Sequence, residues 1–520
     1  MNASDRIPLF VPVVVIGAGP TGTTAATLLA KLGVRTLVLD RWEDVFPQPR
    51  AVHADDEVYR ILAALGIRDE FAAISRPALG LRLLDPNMRV LGEIRRHPDK
   101  SVHGFPQANM YDQPELEAIM RANFKTHPAA TLYGNAEVTD IAQISPDRVR
   151  VTLTDAVSGR MHVVESVYVL GCDGANSLAR QAVGARMQDL GFEQRWLVID
   201  VDTDVDLNHW EGVHQICNPR RGATFMRVGK TRYRWEFQLV GNETAENFQT
   251  VTDLLPLISP WVGETPAEKL KLVRVCEYTF RAQVADKWRD RNVFILGDAA
   301  HLTPPFIGQG LCSGLRDSIN LAWKIAGVLN KSLPERVLDT YEQERKPHAR
   351  ALVRLAIRIG WAMTGGGRLG NALRRILVPW LQHRAGAADE QANSSATPAL
   401  HDSALVVKSF RPSDLAGTLC PNPVVAQGLR FDDVVGCRFA LVTSSPLTDA
   451  QRDQLTRRGT VVVPASPDGD LGRWLLRGKA RGAIVRPDRT VMQTGRNLAT
   501  LCAAVPAFTA PGPGLSGEPQ

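Results

Sequence analysis

Residues 13–40 constrain the fold of this 520-residue chain more than any other stretch. Four apolar residues lead into a glycine-rich turn, Gly17-Ala-Gly-Pro-Thr-Gly22, and a stretch rich in alanine and leucine follows it. This order predicts a strand, a tight turn and a helix, which together open a doubly wound parallel sheet. The glycines let the backbone approach a pyrophosphate, and the helix N-terminus stabilises its charge. The residues that we expect to bind a dinucleotide here are Gly17, Gly19, Pro20, Thr21 and Gly22.

Sequence context decides whether such a glycine pattern binds a nucleotide. The next predicted strand ends at Asp40, where a carboxylate can accept a hydrogen bond from a ribose hydroxyl group. A second GxGxxG, formed by Gly365, Gly367 and Gly370, follows basic helical residues, so we interpret it as a break between two helices. Only the first pattern therefore predicts dinucleotide binding.

A second glycine segment, near residue 300, favours FAD among the possible dinucleotides. Gly297-Asp-Ala-Ala-His301 follows an apolar strand and leads towards a helix predicted from Leu311 to Leu329. Asp298 lies at the carboxyl end of that strand, where it can accept a hydrogen bond from a ribityl hydroxyl group. The amides at the start of the helix can stabilise negative charge on a reduced flavin ring. The residues expected to contact the flavin half are Gly297, Asp298, Pro305, Gly308, Gly310 and Leu311.

A third segment, Gly171-Cys-Asp-Gly-Ala-Asn-Ser177, follows another apolar strand. In their order and separation, the three segments resemble those of the class A flavoprotein aromatic hydroxylases, and the resemblance covers roughly residues 10–350. Shorter stretches look most like 3-(3-hydroxyphenyl)propionate hydroxylase and related phenol hydroxylases. These stretches are Pro49-Arg-Ala51, Asp55-Asp-Glu57, Cys217-Asn-Pro-Arg-Arg221, Arg234-Trp-Glu-Phe237 and Asn320-Leu-Ala-Trp-Lys324.

The resemblance implies further contacts with FAD. Arg50 and Gln113 would approach the pyrophosphate and ribityl region, although Gln113 also fits the start of a surface helix. Asp173, with Arg180, would lie near the pyrophosphate and near NADH or NADPH, the implied transient electron donor. The further FAD contacts are therefore expected at Asp40, Arg41, Arg50, Gln113 and Asp173.

The patterns along the chain predict an α/β protein of several units. The middle of the chain consists of short β-rich runs, with a hairpin turn at Gly229-Lys230, so we expect an antiparallel sheet inserted into a Rossmann-like FAD-binding domain. The last part resembles a thioredoxin-like C-terminal module, which we expect to be structural because the chain has no CxxC pair. The expected units are the FAD-binding domain at 1–187 and 282–385, the substrate-binding sheet at 188–281, a linker at 386–398, the C-terminal module at 399–510 and a disordered tail at 511–520.

The resemblance also implies a reaction. It is that of a monooxygenase that hydroxylates a substituted phenol with NAD(P)H and O2, through a flavin C4a-hydroperoxide. A 3-(3-hydroxyphenyl)propionate-type phenolic acid is the substrate implied. Two alternatives stay open: a hydroxylase of a polyketide or other bulky aromatic, and a non-catalytic flavin-binding redox sensor. No catalytic residue is assigned.

Three residues are candidates for contact with the small aromatic substrate, and each has an alternative explanation. Arg221 can pair with a substrate carboxylate or belong to a solvated or sheet-surface ion pair. Trp235 and Phe306 can line a ring pocket or belong to a core. We assign no chemistry to His301, because a positional or capping role explains it equally well, and we interpret Cys312 as a small helix residue.

Composition narrows the cellular setting. A net charge of +6 favours anionic partners only weakly, and we expect no nucleic acid among them. Seven cysteines without a CxxC pair predict neither a disulfide framework nor a metal site, which is typical of a reducing cytoplasm. Residues 345–384 predict a basic amphipathic helix, either a solvated face or a surface for a membrane or an anionic partner. We expect no stable membrane insertion and leave a homodimer open.

Overall fold

The computed structural model describes residues 7–48, 50–99, 101–218, 220–364, 397–409 and 413–508. The second GxGxxG, the predicted tail and most of the predicted linker lie outside these residues, as does the second half of the basic stretch. Within them, no helix is long and apolar enough to cross a membrane. The same residues contain no group of His, Cys, Asp and Glu side chains that could hold a metal ion.

A mostly parallel sheet forms the centre of the first part of the fold. Its central strand, β1 (Phe10–Ile16), has neighbours on both sides, and residues 13–15 have no exposed surface, which explains their unbroken apolar sequence. The predicted start of a doubly wound sheet is therefore confirmed. The other strands are β2 (Thr36–Leu39), β8 (Ala130–Tyr133), β9 (Ala136–Ser145), β10 (Arg148–Asp155), β11 (Met161–Gly171), β17 (Arg289–Asp290) and β18 (Val293–Ile295). Their order is β17-β18-β11-β1-β2-β8, with β10 and β9 joined to β11 as an antiparallel pair.

A second sheet of eight strands forms the predicted insert. Its strands are β5 (Gly80–Leu84), β6 (Val90–Arg95), β12 (Met187–Asp202), β13 (Val213–Ile216), β14 (Ala223–Arg227), β15 (Arg232–Gln238), β16 (Lys271–Ala285) and β19 (His301–Leu302), in the order β19-β16-β12-β15-β14-β13-β5-β6. The hairpin of β14 and β15 is confirmed. The sheet is not wholly antiparallel, however, because β5 pairs with β13 in parallel. β5 and β6 come from residues 80–95, outside the expected insert, because a short strand pair carries no sequence signal of the sheet that it joins.

The two faces of this second sheet have different neighbours. Trp235 lies on the outer face, in an apolar core that α6 (Val251–Val262) completes. Successive residues of a strand point to opposite faces, so Arg234 and Glu236 lie on the other face, which we call the inner face. Arg234 donates a hydrogen bond of 2.8 Å to the carbonyl oxygen of Arg50. The inner face is therefore the one turned towards the FAD-binding loops.

The C-terminal module contains a mixed sheet of four strands, β22 (Ala440–Thr443), β23 (Val461–Pro464), β24 (Gly482–Val485) and β25 (Val491–Gly495), in the order β23-β22-β24-β25. β22 and β23 are parallel, and the other two pairs are antiparallel. The thioredoxin-like description of this module stays a prediction. Two smaller sheets are formed by β3 (His53–Asp55), β4 (Arg76–Pro77) and β7 (Ala108–Met110), and by β20 (Val424–Ala426) and β21 (Leu429–Arg430).

The long helices lie where the periodicity predicts them, but one arginine of the predicted basic helix is buried. α7 (Gly310–Leu329) begins one residue before the predicted start, and α8 (Thr340–Thr364) covers the first part of the predicted basic helix. Arg354 and Arg358 are exposed, as a solvated face requires, but Arg345 is buried because it pairs with Asp317 of α7. The remaining helices are α1 (Pro20–Lys31), α2 (Asp56–Leu65), α3 (Arg68–Ile74), α4 (Gln113–Lys125), α5 (Leu178–Ala182), α9 (Phe431–Val435), α10 (Asp449–Arg457), α11 (Asp470–Arg477) and α12 (Leu498–Ala504).

Candidate active site

The three glycine segments of the sequence meet at the carboxyl ends of β1, β11 and β18. Gly17 has a φ of +100°, and a Cβ atom there would lie 2.4 Å from the carbonyl oxygen of Cys172. A Cβ atom on Gly22 would lie 1.9 Å from the carbonyl oxygen of Gly17, and one on Gly297 would lie 2.7 Å from Oγ1 of Thr21. Only glycine fits at these three close approaches.

Gly19 differs from its neighbours because it faces open space. A Cβ atom on Gly19 would have no other atom within 4 Å. Gly19 is the N-cap of α1, and no side chain caps the helix there, so the amides of its first turn are available to an anion. This is the room and the donor set that a pyrophosphate needs, so the residues present fit that part of FAD.

Asp40 lies beside this open turn. Its carboxylate accepts hydrogen bonds from the amides of Ala18, at 2.5 Å, and Trp42, at 2.8 Å, and Arg121 lies 3.5 Å from it. These bonds fix the carboxylate at the end of β2 and leave it lone pairs for a ribose hydroxyl group. Arg41 is exposed next to it.

The loop that carries Arg50 lies close to the start of α4. The side chain of Gln113 accepts a hydrogen bond of 2.5 Å from the amide of Ala51, and Gln113 is only 6% exposed. Gln113 is therefore not on the surface of α4, and its hydrogen bond fixes this loop. The guanidinium group of Arg50 lies 4.7 Å from the ring centroid of Phe46, and its side chain is exposed.

Asp317 holds the second glycine segment from beneath, and sequence reasoning missed it. Its carboxylate accepts hydrogen bonds from the amide of Gly297 at 3.0 Å, from Nε2 of His301 at 2.8 Å and from Arg345 at 2.8 Å. Burial would raise the pKa of Asp317, but Arg345 and His301 together hold it below its ordinary value. His301 is fully buried, so its place is structural. The signal available in the sequence was an acidic residue in the middle of the helix predicted from Leu311 to Leu329.

The loop before α7 is shaped by Gly308. Its φ is +62°, and a Cβ atom there would lie 2.8 Å from Nδ1 of His53, so a larger residue would displace the loop. A Cβ atom on Gly310, the first residue of α7, would have no other atom within 4 Å, so the helix N-terminus is open beside Pro305 and Leu311. Burial raises the pKa of Cys312 to about 12, so this thiol stays protonated and is no nucleophile.

Asp173 connects the third segment with the first. It accepts hydrogen bonds from the hydroxyl group of Ser177 at 2.6 Å and from the amide of Ala179 at 3.0 Å, next to Gly17. Arg180 donates to the carbonyl oxygen of Ala299 at 3.1 Å, which ties this segment to the second one. Hydrogen bonds and close backbone approaches thus bring the three predicted segments together.

The three substrate candidates lie in different places. Arg221 forms an ion pair of 2.5 Å with Glu243, a residue of the loop after β15, which matches the alternative of a sheet-surface ion pair. Trp235 is fully buried on the outer face, because the alternation of β15 turns it away from the cleft. Trp235 therefore does not reach the inner face. Phe306 packs edge-on against aromatic rings of the sheet, with centroid distances of 5.6 Å to Phe192 and 5.8 Å to Trp196.

Tyr278 of β16 marks the far wall of the cleft. It lies on the inner face, is half exposed and stands close enough to Asp298 and Arg50 for both charges to act on it. Enclosure by the cleft raises the pKa of Tyr278, Asp298 raises it further, and Arg50 lowers it. Asp298 is itself exposed to the cleft. Asp298 and Arg50 therefore lie near the inner face of the sheet.

This fold and this cleft define a class of protein, the FAD-dependent monooxygenases that hydroxylate aromatic compounds. The chain belongs to the family described as FAD binding domain, whose model matches residues 10–356. The expected FAD cofactor, the expected fold and the expected enzymatic class are thereby confirmed.

Similar proteins span almost the whole chain. A protein of Rhodococcus jostii (strain RHA1) named "Probable NADH-specific resorcinol 4-hydroxylase" is 30% identical, over 98% of this chain and 97% of its own length. The 3-(3-hydroxy-phenyl)propionate/3-hydroxycinnamic acid hydroxylase of Burkholderia cenocepacia (strain HI2424) is 32% identical, over 96% of each chain. The crystal structure of the flavin-dependent monooxygenase PieE with FAD and substrate has a TM-score of 0.78 at 23% identity, and covers 96% of this chain and 99% of its own.

Proposed function

We propose that this enzyme hydroxylates a small phenol, of the 3-(3-hydroxyphenyl)propionate type or resorcinol, with NADH as electron donor and O2 as co-substrate. The support comes from the relatives that are 30–32% identical over at least 96% of the chain, since their names carry these phenols and, in one case, NADH. PieE is less than 25% identical, so it bears on the fold and not on the substrate. We therefore favour a small phenol over a polyketide.

FAD, when bound, passes the electrons of the nicotinamide to O2 and delivers one oxygen atom to the ring. Gly19 and the first turn of α1 would bind its pyrophosphate, and Asp40 its ribose. Asp298 would bind the ribityl chain, and the first turn of α7 would stabilise negative charge on the reduced ring. In the balanced reaction, one phenol, one NADH, one O2 and one proton give the hydroxylated phenol, NAD+ and water.

The observation that carries the proposal is the nearness of two exposed side chains, Asp298 after β18 and Tyr278 on the inner face of the second sheet, whose pKa the charge of Asp298 raises. Together they offer a bound ring system one polar and one aromatic neighbour, at the place where the sheet approaches the predicted flavin contacts. A phenol needs both kinds of surface, since apolar side chains enclose its ring and a few polar groups fix its hydroxyl group.

The test uses the purified, FAD-loaded protein. NADH and NADPH oxidation would be measured with 3-(3-hydroxyphenyl)propionate and resorcinol, together with hydroxylated product and peroxide. The matched control is 3-phenylpropionate, which lacks the hydroxyl group. We expect product nearly equal to NADH consumed with one of the phenols and none with the control. Peroxide without product for every phenol would contradict the proposal. A cytoplasmic location and a homodimer stay predictions.

A further inference from the structure

The inner face of the second sheet holds a carboxylate that nothing in the fold explains. Glu236 of β15 is 9% exposed, and it forms no side-chain hydrogen bond and no ion pair within the part of the chain that the structure describes. A buried carboxylate without a partner costs free energy, and buried charges in proteins are as a rule paired. Such a group therefore calls for a ligand.

The other buried carboxylate of this face is already satisfied. Asp200 of β12 is fully buried and accepts two hydrogen bonds from Arg234, of 2.7 and 3.0 Å. Glu236 follows Arg234 by two residues on β15, so both side chains lie on the inner face. Val198, and not Asp200, lies opposite Glu236, so Glu236 takes no part in the pair of Asp200 with Arg234. Of these two inner-face acids, Glu236 is thus the one left for an incoming molecule.

The position of Glu236 relative to the cleft follows from the strand register. Thr224 of β14 lies opposite Glu236 on one side, and Val198 of β12 lies opposite it on the other, with Cys276 next in the same row. Tyr278, the cleft marker, lies two residues along β16 from Cys276 and so in the adjacent row. Adjacent rows are about 7 Å apart, and β15 lies two strand spacings, about 10 Å, from β16, so Glu236 and Tyr278 are about 12 Å apart on the face that is turned towards the FAD-binding loops.

The charges that act on Glu236 come from three strands. Burial raises the pKa of Glu236 and Asp200 raises it, whereas Arg234 of its own strand and Arg274 of β16 lower it. Its carboxylate is thus a stronger base than an exposed glutamate. A base for a phenol needs this property, because a general base works best when its pKa approaches the working pH.

We propose that Glu236 binds the hydroxyl group of the phenolic substrate and takes its proton. The phenol O–H bond breaks and an O–H bond forms on the carboxylate, so the negative charge passes to the phenolate oxygen and no electron is transferred. The phenolate ring is richer in electrons and accepts an electrophilic oxygen more readily. This inference rests on the proposed function, since it deepens the same site.

Glu236→Gln tests this inference, because it keeps the size of the side chain and removes the base. With the phenol that wild type hydroxylates, we expect product formation to fall about 100-fold or more near neutral pH. The loss should shrink as the pH approaches about 10, where the phenol ionises unaided. Glu236→Asp should keep part of the rate, and NADH consumption should shift from product to peroxide in the Gln variant.

The control variant is Glu277→Gln on β16, which removes a glutamate from the outer face, where it pairs with Arg195 at 2.7 Å. It should leave the rate and the pH profile unchanged. A rate loss in Glu236→Gln that is equal at every pH and comes with a lower melting temperature would assign a structural role and overturn the inference. An unchanged rate in Glu236→Gln would also overturn it. If the wild-type enzyme forms no product from any phenol, the proposed function is wrong, and this inference is wrong with it.

Discussion

Glu344 of α8 joins the C-terminal module to the FAD-binding domain, and the variant Glu344→Gln tests how much this contact contributes to the free energy of unfolding. Its carboxylate is fully buried and accepts hydrogen bonds from Arg486 of the module at 2.8 and 2.9 Å, and from Lys324 of α7 at 2.9 Å. Asn320, at 2.8 Å, and Ser403, at 2.6 Å, donate to it as well. Five donors therefore converge on one carboxylate.

The cost of the substitution can be estimated from these contacts. A glutamine keeps one acceptor oxygen but presents an NH2 group to the donors on the other side, so at least two hydrogen bonds are lost. Burial lowers the pKa of Lys324 to about 8 even with Glu344 present, so the lysine can lose its proton in the variant. Arg486 keeps its other partner, Asp488. Removing one partner of a buried ion pair typically costs about 3–5 kcal/mol, and we expect about 3 kcal/mol here.

Urea unfolding of the FAD-loaded protein, followed by circular dichroism, measures this difference. The control is Glu335→Gln, since Glu335 is largely exposed and pairs with Arg289 at 3.2 Å, and we expect a loss below about 1 kcal/mol. Arg486 and Lys324 hold the pKa of Glu344 far below its usual range, although burial opposes them. Its contribution to stability is thus present above about pH 4.5 and lost in stronger acid, where wild type and variant should converge. A loss no larger than that of the control would refute the reasoning.

Two further predictions concern the cofactor and the substrate. Gly19→Ala should fold with a melting temperature near that of wild type but bind FAD at least 10-fold more weakly. Gly22→Ala should also lose stability, because its Cβ atom meets the carbonyl oxygen of Gly17. FAD titration and thermal unfolding distinguish the two variants, and equal melting temperatures for both would contradict this prediction. Arg221→Gln should change the KM for a phenolic acid less than 3-fold, because Glu243 already pairs with Arg221, and a 10-fold rise in KM would contradict this prediction.

The parts of the site that depend on local sequence were predictable. Gly17, Gly22 and Gly297 need glycine because of backbone approaches within a few residues of a strand end, and this need is written into the sequence as a motif. Asp40 and Asp298 follow from the same logic, since each lies just after the carboxyl end of a strand of the first sheet. Their position at one edge of that sheet then follows from its parallel strands.

The sidedness of the second sheet was not predictable in this way. Arg234, Trp235 and Glu236 are adjacent and all buried, so the usual alternation of polar and apolar residues does not say which face meets the cleft. An aromatic residue is the natural choice for a ring pocket, yet Trp235 faces the core under α6. Only the contact between Arg234 and the loop of Arg50, residues far apart in the sequence, decides the matter.

The adjacent residues Glu344 and Arg345 give the C-terminal module a route to the flavin contacts. Glu344 binds the module through Arg486, whereas Arg345 binds Asp317, which in turn holds the amide of Gly297. A shift of α8 large enough to release Arg486 would therefore also move the group that fixes the flavin segment. This link needs no redox-active cysteine, because it consists of the hydrogen bonds from Arg486 to Glu344 and from Arg345 to Asp317.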